Sequence, residues 1–230
     1  MTTIAIRSTL VGTLGVALAL MGAAASAATL TLTMDTDPVQ DEGWSLNTQD
    51  GTHSVANGIL TVVTPAYHEI FAPNSVWEDR IFNAAGWVIE TRMRRTPGSV
   101  GTPGLWVADA DSNLMLAGFF SNELVLGNGS WEGSFNLDTS VFHTYRFEGQ
   151  GDSLDVFVDG ALALSFADTN GRWAGSTALN FGDQGQFQSG LSVSEWDYFS
   201  VTIIPSVPEP STLALLGLGL LGLGLRRRSF

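Results

Sequence analysis

The segment Phe142-His143-Thr144-Tyr145-Arg146-Phe147-Glu148 is followed after four residues by Ser153-Leu154-Asp155-Val156-Phe157-Val158. Asp159-Gly160 and Ala161-Leu162-Ala163-Leu164-Ser165-Phe166 come next. Apolar and polar residues alternate along these runs, the period of a strand with one buried face. Tyr145, Phe147, Leu154, Val156 and Val158 are the predicted core positions. Asp-Gly between two alternating runs predicts a hairpin with a type I′ turn, whose central residues both need positive φ.

Runs of the same kind occupy 29–34, 58–63, 86–93, 105–108, 114–120, 123–126, 178–181 and 196–203. Most are four to eight residues long, rich in β-branched and aromatic residues, and bounded by Gly, Asn, Asp or Pro. No stretch between residues 28 and 206 sustains a 3.6-residue period, and no internal repeat is visible. About a dozen short strands in one domain predict an all-β, two-sheet antiparallel sandwich. The chain has no cysteine, so no disulfide supports that fold.

Residues 142–148 and 153–161 resemble a hairpin of concanavalin A-like jelly rolls, which include laminin G-like modules, legume-type lectins and family 16 glycoside hydrolases. Trp196-Asp197-Tyr198-Phe199-Ser200-Val201 resembles their last strand, which pairs with the first near the termini. The resemblance implies a jelly roll and says less about activity. Residues 86–92, with Glu90 and Arg92, look like the strand that precedes the active strand of family 16 hydrolases. Those enzymes then carry a Glu-x-Asp-x-Glu run, whose alternation sets two carboxylates about the glycosidic bond. Residues 114–120 stand in its place as Leu-Met-Leu-Ala-Gly-Phe-Phe, without a carboxylate. Glu195-Trp196-Asp197 falls in the closing strand and lacks the third acid. No Gly-x-Ser-x-Gly elbow, His-Glu-x-x-His or phosphate loop occurs, and His53, His68 and His143 are isolated in sequence. The expectation is a protein that is not an enzyme.

The two ends read as addresses. Residues 1–27 have a cationic start at Arg7, an apolar run over 10–21 and the small residues Ala25-Ser26-Ala27. This is the pattern of a signal peptide cut at an Ala-x-Ala site by signal peptidase. At the other end, Pro208 and Pro210 stiffen an extended peptide. Residues 213–225 then carry no polar side chain, and Arg226, Arg227 and Arg228 close the run. A bilayer span needs about 20 apolar residues, so this predicted helix is short, and the arginines favour the cytoplasmic side as a stop-transfer cluster. Pro208-Glu209-Pro210, the apolar run and the arginines closely resemble the PEP-CTERM sorting domain of exported proteins in polysaccharide-producing Gram-negative bacteria. The resemblance implies a membrane intermediate held by the C-terminal helix, cleavage near the motif by an exosortase, and delivery to the cell surface or extracellular matrix. The expected organisation is a signal peptide over 1–27, a β-sandwich over 28–204 and a sorting segment over 205–230.

Between the two addresses lie six arginines and 22 acids, a formal charge of −16, and no lysine. Such a surface repels nucleic acid and anionic polymers and admits neutral glycans or cations. Trp77, Trp106 and Trp131 are the candidate stacking residues for a polysaccharide, sugars laying their C–H faces on such rings. Asp109-Ala-Asp111-Ser-Asn113 spaces three oxygen ligands as a Ca²⁺ loop does. It lacks the glycine at the sixth position (Leu114) and the glutamate at the twelfth (Phe120). A calcium loop and a polar hairpin turn both stay open there, and no other cofactor is expected. Three functions follow: a glycan-binding surface protein, a matrix component without a specific ligand, and a diverged glycosidase or lyase, which the missing acids disfavour.

Overall fold

Period-two alternation is realised as a two-sheet antiparallel sandwich. The computed structural model describes residues 27–48, 51–65, 69–72, 84–108, 114–127, 132–167, 169, 178–183 and 190–205. The described residues contain fifteen strands and no helix.

The first sheet holds β1 (Ala28–Leu32), β3 (Thr52–Ala56), β4 (Ile59–Thr64), β6 (Gly86–Arg95), β11 (His143–Gln150), β12 (Ser153–Val158), β13 (Ala161–Phe166) and β15 (Ser192–Ile204). Its order is β13-β12-β11-β6-β15-β4-β3, with β1 also paired to β15. The second sheet holds β2 (Ser45–Thr48), β5 (Glu69–Ala72), β7 (Pro103–Ala108), β8 (Leu114–Phe119), β9 (Glu123–Gly127), β10 (Glu132–Asn136) and β14 (Ala178–Asp183), in the order β10-β9-β8-β7-β14-β5-β2. As the jelly-roll resemblance implies, the first strand pairs with the last: Ala28 stands opposite Ile203 and Leu32 opposite Phe199.

The inward faces close on an aromatic core. Phe181 lies 4.6 Å from Phe199 and 4.9 Å from Trp196, ring centre to ring centre, and Phe119 lies 4.8 Å from Tyr145. The five predicted core residues of the β11–β12 hairpin are all buried. Asp159 and Gly160 have φ of 50° and 80°, as a type I′ turn requires. Asn57 and Gly58, at 55° and 74°, make a second turn of this kind between β3 and β4. On the inner face, Gly149 sits directly opposite Trp87, whose indole occupies the space a Cβ would take.

Candidate functional site

The site is built on the outer face of the second sheet. Leu105 and Val107 of β7, Met115, Ala117 and Phe119 of β8, and Leu179 and Phe181 of β14 point into the core. Alternation therefore turns Gly104, Trp106, Leu116, Gly118, Asn180 and Gly182 outward. Register aligns Asn180, Trp106, Leu116 and Gly127 in one row across four strands. The neighbouring row is Gly182, Gly104, Gly118 and Val125. Trp106 is half-buried and stands beside this glycine row, whose three glycines are buried. The arrangement supplies one flat apolar ring and one amide, Asn180, and β7, β8 and β14 place no carboxylate on the described outward positions. An aromatic ring beside an amide offers the two kinds of contact, stacking and hydrogen bonding, that a polar ligand with an apolar face needs.

The outer face of the first sheet is a ladder of ion pairs. Arg94 meets Glu195 at 2.6 Å, Arg92 meets Asp197, and Arg146 meets Glu148 at 2.5 Å and Glu90 at 3.5 Å. Glu195-Trp196-Asp197 is thereby explained: Trp196 fills the core while the flanking acids face out toward arginines, a bulge at this point shifting the register. The Tyr198 hydroxyl donates to Glu90 at 2.7 Å. Burial, and then that bond and the Glu90 charge, push the Tyr198 hydroxyl up to about 12.

Two histidines isolated in sequence gain carboxylate partners in the fold. His53 Nε2 lies 3.2 Å from Asp37. His143 Nδ1 lies 2.6 Å from Asp159, and its Nε2 lies 3.0 Å from the Asp138 carbonyl oxygen. Between the sheets, Arg95 is buried, donating to the carbonyls of Ser99 and Gly101, with the buried acid Asp183 close by. Sequence spacing gave no signal for these pairs, because the partners lie on separate strands and turns.

Of the other predicted site residues, Ala27 is exposed and immediately precedes β1. Trp77, Trp131, Asp109, Asp111, Asn113, Ala25, Pro208, Glu209, Pro210, Arg226, Arg227, Arg228 and His68 lie outside the described residues. So does the apolar run 213–225, and among the described residues no helix is long and apolar enough to cross a membrane. Among them, too, no three acidic or histidine side chains converge as a metal site.

Comparison with known proteins bears on both the tail and the domain. The PEP-CTERM protein-sorting motif matches residues 206–228. No curated protein matches the chain. Among solved structures, the Crh5 transglycosylase in its apo form is similar at 13% identity and a TM-score of 0.57, over 78% of this chain and 85% of that one. A prokaryotic β-1,3-1,4-glucanase (lichenase) from a mouse hindgut metagenome is similar at 15% identity and a TM-score of 0.53, over 77% and 99%. The laminarinase catalytic domain of Thermotoga maritima MSB8 gives 13%, 0.55, 77% and 98%. Identities this low speak for the fold alone. Together with the strand order and register, they show that the described domain has a two-sheet jelly-roll fold, and the tail carries a PEP-CTERM motif, which implies export and sorting by an exosortase.

Proposed function

We propose that this protein is displayed at the cell surface or in the extracellular matrix, where its jelly roll binds a neutral polysaccharide without cleaving it. The observation that carries the reading is the row Asn180–Trp106–Leu116, an aromatic ring and an amide side by side on the outer face of the second sheet. The transglycosylase and glucanases of similar fold act on glycans, which supports the ligand class. The charge of −16 between the two terminal segments favours neutral over anionic chains. A second reading, a matrix protein without a ligand, is favoured by the burial of Gly104, Gly118 and Gly182 beside Trp106.

Tryptophan fluorescence of residues 28–206 during titration with neutral and acidic polysaccharides separates the two. The proposal expects a saturable change with a neutral chain, and loss of that change in Trp106→Ala with the melting temperature kept within a few degrees. No response from a folded domain supports the matrix reading.

A further inference from the structure

The sorting motif begins almost where the folded domain ends. β15 is laddered to its last residue: Ile204 stands opposite Gly86 of β6, and the Ala85 N–H donates to the Ile204 carbonyl at 3.0 Å. On its other side Ile203 is paired with Ala28, the first residue of β1. Pro205 has no N–H with which to continue the ladder. Only Pro205, Ser206 and Val207 then separate the laddered strand from Pro208-Glu209-Pro210. Fully extended, the four steps from Ile204 to Pro208 span at most about 14 Å.

A protease that grips the motif has two ways to work so near the sandwich. It either accepts the folded end of β15 beside its cleft or peels that strand back to gain chain. Peeling is disfavoured, because this end of β15 is paired on both sides and its Val201 and Ile203 are buried in the core. We propose that residues 205–207 are a positioning spacer: the exosortase acts on the domain with β15 laddered, and the length of this segment, not its sequence, decides whether the motif can be reached. The inference rests on the sorting motif and is independent of any glycan.

The test uses the full chain in a host that carries an exosortase, with loss of the tail followed by intact mass. Deletion of residues 205–207 should leave the tail attached. Replacement of the same three residues by Gly-Ser-Gly should restore processing to the wild-type rate. Insertion of six Gly/Ser residues between Ile204 and Pro205, which leaves the domain intact, should be processed at least as fast as wild type. Processing of the deletion at the wild-type rate overturns the proposal, as does retention of the tail in the Gly-Ser-Gly chain or slowed processing of the insertion. Retention of the tail by the wild-type chain itself would instead contradict the sorting motif, and the spacer with it.

Discussion

Asp159 illustrates how one residue does several jobs in this fold. Its positive φ forms the β12–β13 turn, its Oδ1 accepts the Thr144 N–H at 2.9 Å, and its Oδ2 meets His143. Burial pushes the carboxyl up, but the bonds to His143 and Thr144 and the nearby charges of His143 and Arg92 outweigh it, so the net shift is downward. A depressed folded-state value stabilises the protein above the ordinary aspartate value of about 3.9, and that contribution is lost as pH falls through the folded value. Asp159→Asn keeps a residue that tolerates the left-handed turn and removes the charge. Its melting temperature should lie below wild type at pH 7, with the gap narrowing at pH 3; an equal gap at both pH values would show that the charge is not responsible. Tyr145 gives a prediction of opposite sense. Its hydroxyl is buried and has no hydrogen-bond partner among the described residues. Burial, and then the charges of Asp159 and Asp138, push it well above the usual phenol range. Tyr145→Phe should leave stability within about 1 kcal/mol of wild type or raise it, since an unsatisfied buried polar group is costly. Denaturant unfolding that showed a loss of about 2 kcal/mol or more would mean that the hydroxyl is bonded after all. The burial of Tyr145 was legible from alternation. Its unpartnered hydroxyl was not, because that depends on what segments distant in sequence bring near.

At the scale of elements, the strands most readable in the sequence are those that bury alternate large side chains. β6, β11, β12 and β15 do so, and each was found within a few residues of its ends. β2, β3 and β10 are sheet edges, with short polar sequences such as Thr52-His-Ser-Val-Ala56 and Glu132-Gly-Ser-Phe-Asn136. An edge strand turns few apolar side chains inward, so its period carries little signal; β5, with four residues, is too short to show one. Asn57-Gly58 was a usable turn signal for β3 and β4 that the strand pattern alone passed over. β15 begins four residues before its readable part because Ser192 and Ser194 take inward positions, Ser194 Oγ accepting the Trp196 indole N–H at 2.9 Å. The pairing of Gly149 with Trp87 yields an element-level prediction. A Cβ at Gly149 would fall inside the indole, so Gly149→Ala must push Trp87 or separate β6 from β11. Overpacking of this kind costs about 1–3 kcal/mol. A lowered urea midpoint with an unchanged slope is the expected result, and an unchanged midpoint would show that this ladder is loose.

For the molecule as a whole, charge and architecture point the same way. The four described arginines are Arg92, Arg94 and Arg146, which are paired with acids on the outer face of the first sheet, and Arg95, which is buried. The sandwich and the sorting tail were both legible, the first from period and the second from a motif in a fixed order at one end. The candidate face was legible only in part: Trp106 was singled out, but its row with Asn180 and Leu116 exists only once β14, β7 and β8 are in register. Binding without cleavage is measured by a paired assay on residues 28–206 with a neutral polysaccharide, following tryptophan fluorescence and newly formed reducing ends together. Saturable binding that is lost in Trp106→Ala, with no increase in reducing ends, is the predicted result. Accumulating reducing ends, or no binding by a domain that unfolds cooperatively, would contradict it.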